Sequence, residues 1–252
     1  MRWLLLILTL IAAPLRAEEV VLGLSQDQVS ISTNFDGSEI IIYGAIKRET
    51  PIPQDQPLQV IVTVSGPQLP LTVRRKERRL GIWVNVDSVE VDAAPSFYAI
   101  ATSAPWSDVI SETEDLRHTI SIPRAIRSVG APMEVNEPQA FSDAVIRIRM
   151  ENGLYALEEG AVELRESTLF NTAIQMPANL TEGDYATRIF LTRGGKVVSQ
   201  YETSIDVRKV GLERWLFNLS RQQPLIYGLL SLTIAIAAGW GASAAFRLMR
   251  SG

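Results

Sequence analysis

The chain has 252 residues, a formal net charge of −4 and no cysteine. All 28 acidic residues lie between Glu18 and Glu213, and 20 of the 24 lysines and arginines lie in residues 18–224, so this segment has a net charge of −8. So acidic a segment argues against nucleic-acid binding, and the lack of cysteine excludes disulfides and Cys–His catalysis.

The first 17 residues have the pattern of a secretory signal peptide. Met1-Arg2 is a short basic region, an apolar run extends from Trp3 to Ala13, and Ala17 offers a small residue for cleavage. The apolar run is too short to cross a bilayer comfortably. We therefore expect cleavage after Ala17 and export of the residues that follow.

Residues 18–104 have the pattern of short strands separated by turn residues. Runs of alternating apolar residues recur with turn signals every 8–12 residues or so, which is typical of an immunoglobulin-like β-sandwich. The apolar residues that share one face of a strand are Ile40, Ile42, Gly44 and Ile46 in one strand, Leu58, Val60, Val62 and Val64 in a second, and Ile82, Val84 and Val86 in a third.

Residues 105–155 are predicted to be a helical or irregular insertion. A short helix is expected between Ser107 and Asp115, and the run FSDAVIRIRMENG that follows later fits two structures. As a strand it would turn Ala144, Ile146, Ile148 and Met150 inward; as a helix it would present Phe141, Val145 and Ile148. We favour the helix because Asn152-Gly153 supplies a left-handed C-cap.

Residues 156–209 are predicted to be a second β-rich portion, with strands over 161–165 and 168–175. Gly194-Gly195 is a hairpin signal, and the last strand alternates through Ile205 and Val207. Gly183-Asp184-Tyr185, which opens the penultimate strand, resembles the tyrosine corner of sandwich domains. We therefore expect the Tyr185 phenol to bond to nearby backbone and to have a structural role.

The segment from Leu225 to Phe246 contains 22 residues and no charge, with Pro224 before it and Arg247 after it. A helix of roughly 20 apolar residues crosses a bilayer, so this segment predicts a C-terminal transmembrane helix. Lysines and arginines flank it on both sides, and the signal peptide therefore decides the orientation. Residues 210–224 fit either an amphipathic helix in the membrane interface or an apolar linker, and we favour the helix.

These assignments divide the chain as follows: signal peptide 1–17, β-sandwich 18–104, insertion 105–155, second β-rich portion 156–209, juxtamembrane segment 210–224, transmembrane helix 225–246 and cytoplasmic tail 247–252. The predicted fold is mainly β, with an immunoglobulin-like sandwich outside the membrane and a single span.

Two features could bind a partner. One is the basic cluster formed by Arg74, Arg75, Lys76, Arg78 and Arg79, whose cations could hold a small anion, a lipid headgroup or an acidic loop. A solubilising hairpin tip is the alternative for this cluster. The other is the small-residue stripe formed by Ser231, Ala235, Gly239 and Ser243, which would let a second membrane helix approach closely. A plain anchor is the alternative for this stripe.

His118 is the sole histidine, so a Ser–His–Asp triad would require it. It lies in the polar stretch DLRHT, which favours a solvated surface residue. The acidic residues Glu112, Glu114 and Asp115 lack the spacing of a calcium loop and are expected in a solvated loop. We expect no catalytic residue, no metal and no cofactor.

The C-terminal module GLERWLFNLSRQQPLIYGLLSLTIAIAAGWGASAAFR, the block IWVNVDSVEV after Leu80-Gly81, the segment Phe141 to Tyr155 and LTEGDYATRIFLTRGGKVV together resemble the family of transmembrane proteins of alphaproteobacteria. The resemblance covers nearly the whole mature chain. It implies a transport or envelope accessory role, because members are often encoded beside sulfite-exporter-like permeases. It implies no catalytic residues.

The leading functional hypothesis is a non-enzymatic accessory protein of the bacterial inner membrane, with a periplasmic domain and an integral membrane partner such as a multi-pass permease. The alternative is a periplasmic module that binds or senses a small anion through the basic cluster. A membrane-tethered hydrolase that uses His118 is a remote third hypothesis.

Overall fold

The structure is a computed structural model, and it describes residues 18–31, 37–48, 56–127, 138–209 and 212–250. The signal peptide and its cleavage site lie outside the described residues, so they stay predictions. The chain forms two compact units. The first, called here the β-rich unit, reaches Arg208, and the second contains the two C-terminal helices.

Twelve strands account for most of the described residues of the β-rich unit. They are β1 Glu18–Leu24, β2 Gln28–Ile31, β3 Ser38–Arg48, β4 Leu58–Ser65, β5 Gln68–Arg79, β6 Ile82–Pro95, β7 Tyr98–Thr102, β8 Tyr155–Glu158, β9 Glu163–Arg165, β10 Leu169–Met176, β11 Gly183–Arg193 and β12 Lys196–Lys209. The helices of the described residues are α1 Trp106–Val109, α2 Glu112–His118, α3 Ile122–Ala125, α4 Pro138–Glu151, α5 Leu212–Gln222 and α6 Pro224–Arg250.

The strands form two main sheets and a separate ribbon. One sheet has the order β1-β3-β10-β9, the other β2-β12-β11-β4-β7-β8, and β5 pairs only with β6 among the described strands. β4 is antiparallel to both β7 and β11, whereas β7 and β8 run parallel. The predicted mainly β fold with a C-terminal helix is confirmed, and its immunoglobulin-like character stays a prediction.

Strand β4 is buried on both of its faces. Val60, Val62 and Val64 are buried as predicted, but Ile61 and Thr63 on the opposite face are buried too. The second face is covered because Ile61 belongs to a core cluster that also contains side chains of the helical segment, such as Val109 and Ile120. The alternating pattern predicted one buried face. The opposite face is buried because the helices that follow β7 cover it.

Strand β3 has the predicted interior face. Ile40, Ile42 and Ile46 are buried, and Gly44 lies between them. A Cβ atom at Gly44 would lie only 2.6 Å from the Phe170 ring on the neighbouring strand β10. Glycine at this position therefore allows the two strands to keep a large aromatic ring on the shared interior face.

The first residues of β6 lie outside the core. Ile82 is exposed, Val84 and Val86 are only half-buried, and full burial begins at Val89 and Val91. The alternation of apolar residues does identify a strand, but its first residues lie in a ribbon that extends beyond the core. An alternating pattern does not reveal whether another element covers the apolar face.

The segment that fitted both a strand and a helix is the helix α4. Gly153 has a φ of 68°, and the amide of Leu154 donates to the Arg149 oxygen at 2.8 Å, so the helix ends as predicted. Phe141 and Val145 are buried, but Ile148 is 46% exposed. The half-buried Arg149 also faces the rest of the unit, and its guanidinium donates to the Ser96 backbone oxygen at 2.7 Å.

Two other local predictions are confirmed. Gly194 and Gly195 have φ values of 55° and 74°, and they form the turn between β11 and β12. The Tyr185 hydroxyl donates to the backbone oxygen of Thr181 at 2.8 Å, as expected for a tyrosine that ties a strand to the preceding turn.

The predicted short helix is divided into α1 and α2. Ser111 lies between them in an extended conformation, and its hydroxyl accepts a bond from the Glu114 amide at 3.4 Å. Ser111 is therefore the N-cap of a new helix rather than an interior residue of one long helix.

Candidate functional site

The most prominent functional candidate is the β5–β6 hairpin. Its two strands pair from Gln68↔Pro95 to Arg79↔Ile82, and Leu80 and Gly81 form the turn. Both turn residues have positive φ, 50° for Leu80 and 86° for Gly81, as two-residue hairpins of type I′ require. Twelve residues of β5 extend over roughly 40 Å at about 3.3 Å per residue, so the hairpin is long enough to reach beyond the core.

The base of the hairpin is part of the core. Val89 and Val91 are buried, and Leu71 and Val73 on the opposite strand pack against the core cluster that contains Val91. Helix α4 lies against this base, where the Arg75 guanidinium sits 5.8 Å from the centre of the Phe141 ring. The hairpin therefore leaves the core from a packed base.

The structure divides the predicted basic cluster between the two faces of the hairpin. Arg75 forms an ion pair with its cross-strand neighbour Asp87, and Arg79 lies 3.3 Å from Glu77 on the same strand. Both arginines belong to one face, because side chains alternate along a strand. The five cations divide between the two faces of the ribbon, and the binding of a small anion by the cluster stays a prediction.

The opposite face carries the other three cations: Arg74, Lys76 and Arg78. They are exposed, and none forms an ion pair with another residue that the structure describes. Arg78 lies directly across the ribbon from Trp83, so the indole shares this face with the cations.

The tip of the hairpin is apolar, a feature that the pattern of strands did not predict. Leu80 is 105% exposed, Ile82 65% and Trp83 68%. The signal is present in the sequence, since Leu-Gly-Ile-Trp follows the basic cluster directly. It is easily misinterpreted, because the alternation that continues from Ile82 favours the interior of a sandwich.

A second candidate is an open cavity of about 740 Å³ in the β-rich unit. Its lining includes Tyr98, Arg124, Arg127, Arg188 and Glu202. Arg188 donates to the backbone oxygens of His118 and Thr119, and it lies 3.2 Å from the Tyr98 hydroxyl. Burial raises the pKa of the Tyr98 phenol, and the nearby Arg188 partly opposes that effect.

The cavity's Arg124 is also engaged. Its Nε donates to Asp115 at 2.7 Å and its Nη2 to Glu112 at 3.2 Å. The hydrogen bond to Asp115 raises the pKa of this guanidinium above its usual value. Arg124 and Arg188 of the cavity therefore serve protein contacts.

The expectation of a solvated loop for the acidic residues is wrong for two of them. Asp115 and Glu114 are buried in α2, whereas the Glu112 side chain is 87% exposed. Asp115 accepts bonds from the amides of Ile120 and Ser121 as well as from Arg124. This carboxylate organises the turn between α2 and α3.

His118 is not a fully solvated residue. Its side chain is 23% exposed, its ring packs edge-on against Phe190 with the centroids 5.7 Å apart, and its Nε2 lies 3.7 Å from the Glu114 carboxylate. Within the described segments, no group of three His, Asp or Glu side chains could hold a metal ion.

The second unit contains the predicted membrane segment. Pro224–Ser243 of α6 is long and apolar enough to cross a membrane, and none of its residues is buried. The small-residue stripe lies on this helix, where a Cβ atom added at Gly239 or Gly241 would meet no described atom from elsewhere in the chain within 4 Å. Helix α5 precedes α6 with one residue between them, and its Trp215 and Phe217 are exposed.

A mainly β unit followed by one exposed apolar helix of membrane-spanning length defines a membrane protein with a single candidate C-terminal span. The chain belongs to the alphaproteobacterial family described as "Putative transmembrane protein (Alph_Pro_TM)", whose model matches residues 19–248. The resemblance predicted from the sequence is thereby confirmed. No functionally curated protein is detectably similar to this sequence.

Proposed function

We propose that this protein is a non-enzymatic accessory protein of the bacterial inner membrane, and that it associates through α6 with an integral membrane partner. In this proposal the β-rich unit lies in the periplasm and residues 247–252 in the cytoplasm. The signal-peptide pattern of residues 1–17 supports that orientation. The proposed partner is a multi-pass permease, the kind of protein that the family resemblance implies.

The observation that carries the proposal is the exposed surface of α6. Lipid provides no hydrophobic force between helices, so association depends on close packing, and small residues allow it. Ser231, Ala235, Gly239 and Ser243 recur at every fourth position and therefore lie along one side of the helix. A partner helix could approach the α6 backbone along this side.

The test is a pull-down of the full-length protein in mild detergent, compared with two variants. Gly239→Leu places a large side chain on the small-residue stripe, and Gly241→Leu makes the same chemical change about 200° around the helix. We expect a multi-pass membrane protein to co-purify with the wild type and with Gly241→Leu, but not with Gly239→Leu.

Two results would count against the proposal. If no membrane protein co-purifies with the wild type, α6 serves only as an anchor. If both glycine variants retain the partner equally, the partner binds elsewhere on the chain. Thermal unfolding of each variant checks that the β-rich unit is unchanged.

A further inference from the structure

The tip of the β5–β6 hairpin combines apolar and cationic side chains that the fold itself does not use. Leu80, Ile82 and Trp83 are exposed at the end of the ribbon. Arg74, Lys76 and Arg78 line one face behind them, and they are unpaired among the described residues. Exposed large apolar residues that adjoin one another usually mark an interaction surface.

Leu80 is the most informative of these residues. Its φ of 50° is a conformation in which Asn and Gly are favoured and a leucine costs about 1 kcal/mol or more. Its side chain is fully exposed, so no packing within the fold offsets that cost. A leucine at this position is therefore explained better by an external contact than by the stability of the hairpin.

The residue types indicate the kind of contact. Tryptophan concentrates at membrane interfaces, where its ring reaches apolar chains and its N–H reaches water. Arginine and lysine beside such residues bind anionic headgroups. Across the ribbon from Trp83 lies Arg78, which places the indole and a guanidinium side by side. An acidic protein partner would explain the cations but not the apolar tip.

Chain connectivity indicates which bilayer is involved. β12 ends at Lys209, α5 begins at Leu212 and ends at Gln222, and α6 begins at Pro224. Two residues separate β12 from α5 and one residue separates α5 from α6, so the chain connects the β-rich unit through α5 to the helix that is proposed to cross the bilayer.

We propose that the hairpin inserts Leu80, Ile82 and Trp83 into the interface of that bilayer, while Arg74, Lys76 and Arg78 bind anionic phospholipid headgroups. The β-rich unit then has a second attachment to the membrane besides α6. This attachment does not depend on a permease or any other protein partner, so the pull-down and the measurement of insertion can fail independently.

The experiment uses a fluorophore at the tip of the full-length protein. The chain has no cysteine, so Ile82→Cys provides a unique site for an environment-sensitive NBD probe. One copy of the protein is placed in a nanodisc of phosphatidylcholine and phosphatidylglycerol. We expect blue-shifted emission and quenching by a nitroxide on the lipid acyl chains. A probe at Lys196→Cys, an exposed position beside the β11–β12 turn, is the control and should stay in water.

Further substitutions test the two parts of the tip, each in the protein that carries the Ile82→Cys probe. Leu80→Asn should lower the ratio of inserted to exposed probe roughly tenfold, because one large apolar side chain no longer leaves water. The same substitution should leave the unfolding temperature unchanged or raise it. Replacing both Arg74 and Arg78 with Glu should make insertion as weak as it is in nanodiscs of phosphatidylcholine alone.

Several outcomes would overturn the proposal. Probes at both Ile82→Cys and Trp83→Cys could remain as accessible to water as the Lys196→Cys control. The tip probe could be shifted to the blue without acyl-chain quenching, which would indicate a contact with protein. Insertion that requires added vesicles would show that the hairpin binds a different membrane from the one that α6 crosses.

Discussion

Arg188 on β11 donates a hydrogen bond from Nη1 to the backbone oxygen of His118 at 2.9 Å. His118 is the last residue of α2, and Thr119 follows it as a left-handed C-cap whose oxygen lies 3.2 Å from Nη2 of the same guanidinium. Carbonyls at a helix C-terminus lack partners within the helix and attract cations. One arginine therefore satisfies these groups and connects α2 to the second sheet.

Replacing Arg188 with Lys should destabilise the protein by about 1–2 kcal/mol, because one ammonium group cannot reproduce the planar set of donors. Thermal unfolding of the full-length protein in mild detergent, followed by circular dichroism, measures the effect. Arg147→Lys is the matched control, since Arg147 and Glu151 form an exposed pair at 3.3 Å. Equal unfolding temperatures for the two variants would contradict the role assigned to Arg188.

A similar comparison tests the turn between α2 and α3. Asp115→Asn removes the buried charge that accepts from two amides and from Arg124, and we expect a loss of about 1–3 kcal/mol. Glu112→Gln removes an exposed charge that contacts the same arginine at 3.2 Å, and it should cost at most about 0.5 kcal/mol. Chemical denaturation of both variants measures the difference. A larger effect from Glu112→Gln would show that the exposed pair holds Arg124 instead.

Local signals in the sequence predicted much of the fold. Gly153 as a C-cap identified α4, Gly194-Gly195 identified the β11–β12 turn, and the uncharged run after Pro224 identified α6. Each of these elements depends on residues that are neighbours in the chain. Their conformational preferences therefore act before any tertiary contact forms.

Burial and pairing were harder to predict because they depend on distant residues. Ile61 is buried because helices from another part of the chain cover it, and Ile82 is exposed because no described element covers it. Likewise, the basic cluster is contiguous in sequence, but the strand register pairs Arg75 with Asp87, and it places Arg78 opposite Trp83. A register is set by tertiary packing as well as by the turn, so the composition of each face of the hairpin emerged only from the structure.

The buried phenol of Tyr155 predicts how stability changes in alkali. Its hydroxyl donates to the Pro95 oxygen at 2.7 Å, and burial raises its pKa to about 12, with Arg149 acting in the opposite direction. In the unfolded chain a tyrosine has a pKa of about 10. The contribution of Tyr155 is therefore fully present below about pH 10, and it decreases by about 1.4 kcal/mol per pH unit as the pH rises towards the folded-state value.

The Tyr155→Phe variant isolates this effect. Near neutral pH it should be less stable than the wild type by about 1 kcal/mol, because the bond to Pro95 is lost. Above about pH 10 only the wild type loses the Tyr155 contribution, so the two curves of unfolding temperature against pH should meet within about one pH unit and then cross. Burial also raises the pKa values of Tyr98 and Tyr185, but both proteins share those residues.

Tyr201→Phe, at a position that is 38% exposed, is the control and should follow the wild-type curve. Curves for the wild type and Tyr155→Phe that stay parallel would mean that the Tyr155 phenol ionises as readily in the folded protein as in the unfolded chain.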